Sequence, residues 1–284
     1  MNFYDFNPGS EKPLVHLAHA NGFPPQTYQK ALQALFPHYH VVSFPARPLW
    51  GDTPPEWLKD WSQLSDDLLE GLRSFENQKI IGIGHSLGGV LTLYAAVKQP
   101  DRFSRIILID PTMLAPKLLW QIKLMKLFGL ESRSYLIKGA LRRKRTWENR
   151  EEAYQHFRSR GLFKNWSDEV VTAYTDSMTG PSPTGGVHLI YPPEWEAQIY
   201  RTIPTDIWKF AAMLQQPTLV IRGETSNTFT TDSEKAFRKA NLGAIFEVVQ
   251  GAGHLVPQER PEEVGGLLMD FIEKNLERLW PGFC

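Results

Sequence analysis

Residues 79–89 read Lys-Ile-Ile-Gly-Ile-Gly-His-Ser-Leu-Gly-Gly, an apolar run that leads into the pattern Gly-x-Ser-x-Gly. The apolar run predicts a short buried strand, and the apolar stretch 87–98 predicts a helix behind it. Gly84 and Gly88 leave room for a turn that is too tight for side chains on either flank. Such a turn exposes Ser86 at the end of the strand and the start of the helix, where its hydroxyl can act as a nucleophile.

The composition of the 284-residue chain is typical of a globular protein. Hydrophobic residues make up 42%, and 31 basic side chains balance 31 acidic ones. Nucleic-acid binders are usually basic overall, so we expect no such partner. No apolar run approaches the roughly 18–20 residues of a membrane span, and the N-terminus lacks a signal-peptide pattern, which predicts a cytoplasmic protein without stable membrane insertion. The single cysteine, Cys284, cannot form an internal disulfide.

Strands and helices alternate along most of the chain. Further strands are predicted from apolar runs at 14–18, 41–44, 105–109, 217–223 and 245–249. Because these strands are apolar throughout rather than at alternate positions, they indicate an α/β fold with a mostly parallel sheet flanked by helices. The alternation stops over 112–208, where helical runs predict an inserted helical cap. The predicted division is therefore a core of 1–111 and 209–284 and a cap of 112–208.

A nucleophilic serine needs a histidine base, and that histidine needs a carboxylate that fixes its tautomer and stabilises its cation. The predicted base is His254, which lies in the glycine-rich loop after the last strand and before the final helix. This position, together with Ser86, favours a catalytic role over a structural one.

Three motifs together resemble the α/β-hydrolase superfamily: Gly-His-Ser-Leu-Gly-Gly at 84–89, His-Ala-Asn-Gly-Phe-Pro at 19–24 and Gly-Ala-Gly-His at 251–254. The chain is most similar to the capped, esterase-like branch related to dehalogenases and epoxide hydrolases, in which a helical cap follows the sixth strand. The resemblance covers almost the whole chain and implies the α/β-hydrolase fold. Ser86 stands where dehalogenases and epoxide hydrolases carry an aspartate, which implies acyl transfer to water rather than either of those activities.

The resemblance also implies an oxyanion hole made of two backbone N–H groups. One belongs to Leu87, directly after the nucleophile, and the other to Asn21, two residues past His19. The family usually has glycine at the second position of this loop, where the chain has Ala20. The alternative interpretation of this loop is a simple Pro/Gly turn.

The sequence leaves more than one candidate for the carboxylate that pairs with His254. In much of the superfamily an aspartate follows the seventh strand, but the corresponding loop here carries Ser226 and Asn227. Exchanging aspartate for asparagine in a triad can lower the rate by ~10⁴. Asp110, at the end of the 105–109 strand, is preferred because the order Ser, Asp, His fits the fold. Glu224 is the alternative acid, and Asn227 as a neutral orienter or an unidentified acid remains open.

Two stretches of the predicted cap bear on the substrate. The strongly apolar helix at 114–130 is typical of packing, and it is also compatible with an apolar ester or acyl group. The basic run at 138–145 is typical of a solvated surface; an acidic substrate or a membrane surface is the alternative partner.

The predicted function is hydrolysis of a carboxylic ester through an acyl-enzyme, with a small-molecule ester or acyl substrate and no cofactor. No cluster of residues has metal-ligand spacing. Thioester hydrolysis, acyl transfer to another acceptor and C–C bond hydrolysis are alternatives on the same fold. A low-turnover ligand-binding protein is the alternative from another class, because the expected acid is absent at 226–227. The sequence leaves the oligomeric state open and allows a homodimer.

Overall fold

The computed structural model describes residues 3–9, 11–51, 53–131 and 134–274, so Cys284 lies outside the described residues. Within these ranges there are ten strands, in chain order β1 (Tyr4–Asp5), β2 (Leu14–Ala18), β3 (His40–Ser43), β4 (Ile80–His85), β5 (Phe103–Ile109), β6 (Thr146–Trp147), β7 (Thr179–Pro181), β8 (Val187–Leu189), β9 (Thr218–Gly223) and β10 (Ile245–Val249).

The helices of the same ranges are α1 (Gln29–Leu32), α2 (Trp61–Leu72), α3 (Leu87–Lys98), α4 (Pro116–Leu127), α5 (Tyr135–Leu141), α6 (Arg150–Arg158), α7 (Asp168–Met178), α8 (Pro193–Arg201), α9 (Ile207–Met213), α10 (Thr231–Ala240), α11 (Val256–Glu259) and α12 (Pro261–Glu273). None of these helices is long and apolar enough to cross a membrane.

Seven strands form the main sheet in the order β1-β3-β2-β4-β5-β9-β10. All neighbouring pairs are parallel except β1 with β3, at one edge. The prediction of a mostly parallel sheet is confirmed. The five inner strands are buried along most of their length because helices cover both faces of the sheet, as a parallel sheet requires.

Two hydrophobic cores lie on the two sides of this sheet. The first is built around α2 and α3, and the second around α1 and α12. Helix α3 is buried at every position from Leu87 to Ala96, which explains why its sequence is apolar nearly all round. The helix directly behind Ser86 is therefore held rigidly under the sheet.

The register of the parallel strands gathers their ends at one edge. Ala18 of β2 is opposite Gly84 of β4, and His85 of β4 is opposite Ile109 of β5. The loops that follow these strands therefore begin side by side. Since ligands of open α/β sheets bind outside the carboxyl ends of the strands, this edge is where a functional site is expected.

The segment 112–208 contains α4 to α8, but it is not purely helical. The short strands β6, β8 and β7 form a separate antiparallel sheet of three strands. Strands of two or three residues are too short to produce a detectable period of alternating apolar residues, which is why no strand was predicted over 112–208. The segment follows β5, the fifth strand of the described chain rather than the sixth. The predicted boundary at 208/209 falls within α9, which packs on α3 and α10.

Candidate active site

Ser86 occupies a sharp turn between β4 and α3. Its backbone has a φ of 55° and a ψ of −116°, a conformation that residues with side chains rarely adopt. A Cβ atom on Gly84 would lie 2.3 Å from the carbonyl oxygen of Gly88, and one on Gly88 would lie 1.9 Å from that of Ala18. Both positions therefore require glycine, and the predicted tight turn is present.

Ser86 and His254 are in direct contact. The Oγ atom of Ser86 lies 2.9 Å from Nε2 of His254, although the two residues are 168 positions apart. On its other side, Nδ1 of His254 lies 2.7 Å from Oδ1 of Asp110. Because a carboxylate only accepts, Nδ1 carries the proton and Nε2 is left as an acceptor for the serine hydroxyl.

The Asp110 carboxylate is fully buried and is held by several donors. Besides His254, Oδ1 accepts a hydrogen bond from Oγ of Ser226 at 2.7 Å, and Oδ2 accepts one from the backbone N–H of Gly223 at 3.0 Å. These donors compensate the loss of water around a buried charge. A buried anion fixed in this way can orient the His254 ring.

The other two residues weighed as partners of His254 make different contacts. Glu224 is exposed, and its carboxylate accepts a hydrogen bond from the backbone N–H of Gly251 at 2.9 Å. The exposed Asn227 side chain accepts from Thr228 at 3.4 Å. Of the residues weighed from the sequence, it is Asp110 whose carboxylate meets His254.

The loop that carries Asn21 is held in place by the buried side chain of His19. Nδ1 of His19 donates to the carbonyl of Ala20 at 2.8 Å, and its Nε2 accepts from the N–H of Ala46 at 2.9 Å. Burial lowers the pKa of His19 to about 4, so the ring is neutral at pH 7 and can fill both roles. Asn21 and Leu87 line the same cavity as Ser86, as expected for two oxyanion donors.

The side chain of Asn21 is held by the 112–208 segment. Its Oδ1 accepts from the Tyr191 hydroxyl at 2.9 Å, and its Nδ2 donates to the carbonyl of Glu196 at 3.3 Å. The Glu196 carboxylate in turn pairs with Arg143 at 2.7 Å, and Arg143 also donates to the Tyr174 hydroxyl at 2.7 Å. A largely buried ion pair therefore connects the inserted segment to the loop beside the nucleophile.

A comparison with known families agrees with this fold. Residues 14–266 match the model of the alpha/beta hydrolase family. The chain belongs to the alpha/beta hydrolase family. This hydrolase is 24% identical over 239 residues to the abhydrolase domain-containing protein ACTT2-1 of Alternaria alternata, an alignment that covers 72% of this chain and 86% of that protein.

Other proteins are similar to this chain in sequence or in fold. The hydrolase is 25% identical to epoxide hydrolase 3 of Xenopus tropicalis over 281 residues, 93% of this chain and 72% of that one. Its structure matches that of E-2-(acetamidomethylene)succinate hydrolase with a TM-score of 0.78 at 20% identity, covering 96% and 95% of the two chains. The thioesterase domain from the curacin biosynthetic pathway gives 0.73 at 17% identity, covering 94% of each.

A large cavity of about 1160 Å³ lies above Ser86 and His254 in the hydrolase. Helix α4 contributes apolar side chains to its wall, among them Leu118, Ile122 and Met125. In the part of the chain that the structure describes, no group of three His, Cys, Asp or Glu side chains is placed to hold a metal ion. Because of its volume and its apolar wall, the cavity can take up a sizeable apolar group next to the serine hydroxyl.

Several residues of the hydrolase that hold this site were not predicted. The His85 side chain connects Tyr28 with the loop that carries His254. The Tyr28 hydroxyl donates to Nδ1 of His85 at 2.8 Å, and Nε2 of His85 donates to the carbonyl of His254 at 2.9 Å. Burial, and then the nearby His254, lower the pKa of His85 to about 3, which keeps it neutral. In the sequence, His85 could have been singled out because it is a polar residue at the end of a predicted buried strand.

The hydroxyl of Thr112 was also missed. Its Oγ1 lies 3.1 Å from Oγ of Ser86, and its backbone N–H donates to the carbonyl of Ser86 at 3.0 Å. Ser226 was considered only as the residue that replaces an aspartate, not as a donor to Asp110. Neither contact has a sequence signal, because each joins loops that follow different strands.

Proposed function

We propose that this hydrolase cleaves a carboxylic ester through an acyl-enzyme formed on Ser86. The observation that carries the proposal is the continuous hydrogen-bonded series from the Ser86 hydroxyl through His254 to the buried Asp110. A serine hydroxyl becomes an effective nucleophile when a neutral imidazole can take its proton, and a carboxylate stabilises the imidazolium that results.

In the first half of the reaction, Oγ of Ser86 attacks the acyl carbon while Nε2 of His254 takes the hydroxyl proton. The carbonyl oxygen becomes an oxyanion, which accepts hydrogen bonds from the backbone N–H groups of Leu87 and Asn21. The bond to the alcohol oxygen then breaks, and His254 gives its proton to that oxygen. The products of this half are the free alcohol and an acyl group on Ser86.

In the second half, a water molecule gives a proton to Nε2 of His254 and attacks the acyl carbon. The bond to Oγ of Ser86 breaks, and the proton returns from His254 to that oxygen. The carboxylic acid leaves and the resting serine is restored. Asp110 keeps its hydrogen bond to Nδ1 throughout and stabilises the imidazolium in both halves.

The position of Leu87 supports the proposed oxyanion hole. Leu87 is the first residue of α3, so its N–H lies at the positive end of the helix dipole. Donors that are fixed before the reaction begins stabilise developing charge without having to reorganise. The contacts of Asn21 with Tyr191 and Glu196 fix the second donor in the same way.

Two alternative functions remain to be compared with ester hydrolysis: ligand binding with low turnover, and thioester hydrolysis. The case for a low-turnover binding protein rested on the missing acid at 226–227, and the contact between Asp110 and His254 removes that reason. Thioester hydrolysis would use the same atoms, and one solved structure with this fold is described as a thioesterase domain. We therefore keep a thioester as the second candidate substrate.

The test compares the wild-type protein with Ser86→Ala on p-nitrophenyl esters of graded chain length. We expect kcat/KM to fall by at least ~10³ in the variant, since removing a triad member leaves only binding and the oxyanion hole. A fluorophosphonate probe should label the wild type and not Ser86→Ala. Thr112→Val is the matched control, because it removes the neighbouring hydroxyl and leaves the nucleophile in place.

Equal ester turnover by the wild type and Ser86→Ala would overturn the proposal. Faster turnover of an acyl thioester than of the oxygen ester with the same acyl group would favour the second candidate.

A further inference from the structure

Helix α4 is apolar on two opposite sides. One side faces inward: Leu119 is buried, and Leu118 and Ile122 line the cavity above Ser86. The opposite side carries Trp120 and Leu127, of which 63% and 75% are exposed. Because a helix turns by about 100° per residue, residues seven apart lie on the same face.

Two more apolar residues belong to this outer side. Phe128, directly after the helix, is 69% exposed, and the half-buried Leu124 lies between Trp120 and Leu127 on the same stripe. We call Trp120, Leu124, Leu127 and Phe128 the outer apolar face. An exposed cluster of large apolar side chains with polar neighbours is the kind of surface that binds a partner.

The charge of the segment that carries this face indicates the chemistry of the partner. Residues 116–145 contain nine lysines and arginines and one acid, Glu131, in a chain whose total charge is zero. Several of these cations already pair with acids, as Lys144 does with Glu152 and Arg145 with Glu194. Others are exposed on α4, α5 and the residue after it: Lys117, Lys123, Lys138 and Arg142.

We propose that α4 and α5 dock on the surface of an anionic lipid bilayer. Exposed Trp, Phe and Leu with flanking lysines and arginines are typical of helices that lie in the plane of a membrane interface. The aromatic and aliphatic side chains of the outer apolar face enter the boundary between headgroups and acyl chains, and the basic side chains bind lipid phosphates. An apolar protein partner alone would give no reason for the local excess of positive charge.

Docking in this orientation would bring the cavity to the membrane. Leu118 of α4 and the exposed Tyr135 of α5 both line the cavity that contains Ser86. The docked helices would therefore lie between the bilayer and the nucleophile. The docking surface is separate from the catalytic chemistry, so it can be tested whether or not an ester is the substrate.

The experiment is sedimentation with lipid vesicles, carried out in the Ser86→Ala background so that turnover plays no part. We compare phosphatidylcholine vesicles with vesicles that also contain phosphatidylglycerol. We expect binding to the anionic vesicles that weakens as salt is raised, because screening reduces the attraction of exposed charges. Combined Trp120→Gln, Leu127→Gln and Phe128→Gln substitutions should lower the partition coefficient at least about tenfold.

A double lysine variant tests the contribution of positive charge to vesicle binding, and a control variant changes an exposed leucine elsewhere. Lys117→Gln with Lys123→Gln should weaken binding to anionic vesicles while leaving any weak binding to neutral ones unchanged. Leu242→Gln is the matched control, because Leu242 is 92% exposed and lies between α10 and β10, outside the docking segment. Thermal melts should be unchanged in all of these variants, since the side chains are exposed.

Either of two results would overturn the proposal. The first is binding to anionic vesicles that is absent, or that is equal in the triple variant and the Leu242 control. The second is a dimer in light scattering that dissociates in the triple variant without any vesicle binding, which would assign the outer apolar face to a second copy of the chain.

Discussion

The Ser226 hydroxyl donates a 2.7 Å hydrogen bond to Oδ1 of Asp110. Ser226 lies on the loop after β9, where much of the α/β-hydrolase superfamily is expected to carry an aspartate. Here the carboxylate comes from the end of β5 instead, and the loop after β9 supplies a donor. The two strands are parallel neighbours, with Ile109 opposite Ile221, so side chains that follow either strand can reach the same point beside His254.

Asp110→Asn should reduce kcat/KM for an ester by about 10⁴. The amide cannot stabilise the imidazolium, and it favours the wrong tautomer of His254. The measurement is steady-state hydrolysis of a p-nitrophenyl ester, with circular dichroism to show that the variant is folded. The matched control is Glu224→Gln, which we expect to stay within a few-fold of the wild type because the Glu224 carboxylate accepts from the N–H of Gly251 and not from the His254 ring. Near-full activity of Asp110→Asn would show that another group supports the base.

Ser226→Ala should lower kcat about tenfold and the free energy of unfolding by about 1–2 kcal/mol. It removes a donor from a buried carboxylate, and hydrogen bonds to charged groups contribute roughly 1.5–3 kcal/mol. Ser226→Thr keeps the hydroxyl and should retain most of the activity. Equal activity of Ser226→Ala and the wild type would mean that the remaining donors to Asp110 are sufficient.

Arg143→Met should lower kcat about tenfold and change KM little. The substitution leaves the Glu196 carboxylate without its partner and should loosen α8, where the Glu196 carbonyl accepts from the Asn21 side chain. The N–H of Asn21 is the proposed second oxyanion donor, which acts mainly in the transition state. Breaking a buried ion pair should also lower the free energy of unfolding by on the order of 3 kcal/mol.

The control for Arg143 is Arg145→Gln, at the exposed pair between Arg145 and Glu194. Exposed pairs contribute about 0–1 kcal/mol, so we expect neither activity nor stability to change much. A loss of stability in Arg143→Met without a change in kcat would restrict the pair to a structural role.

The protein should lose stability as the pH falls below about 6.5. Burial lowers the pKa of His16 and His85 to about 3 and that of His19 to about 4, from an ordinary value of 6.5. Between the ordinary and the lowered values, unfolding takes up protons, so the free energy of unfolding decreases towards acid. Each histidine contributes up to about 1.4 kcal/mol per pH unit in that window.

Urea unfolding at several pH values measures this dependence. The slope of the unfolding free energy against pH should be positive below about pH 6.5 and small above it. His16→Gln should reduce the slope by the equivalent of one proton. A slope that is flat down to about pH 4.5 would show that the three rings are protonated in the folded state.

Much of the fold follows from local patterns. The alternation of apolar strands and helices predicted the parallel sheet, and the buried helix α3 explains the apolar run after Ser86. The inserted segment was predicted less well. Strands β6 to β8 are too short to show an alternation of apolar and polar residues. The apolar helix α4 was expected mainly to pack against the protein, but Leu119 is its one buried residue. Whether 112–208 acts as a separate cap stays a prediction.

The turn at Ser86 and the proposed base His254 could be predicted from local patterns, because both depend on residues that are adjacent in the chain: glycines where side chains would clash, and a histidine in the loop after the last strand. The carboxylate that contacts His254 could be assigned only from the folded arrangement of the strands. The contact between Asp110 and His254 joins residues 144 positions apart, and it depends on the order and register of the parallel strands. Local sequence patterns report a residue's neighbours along the chain, whereas this choice required its neighbours in space.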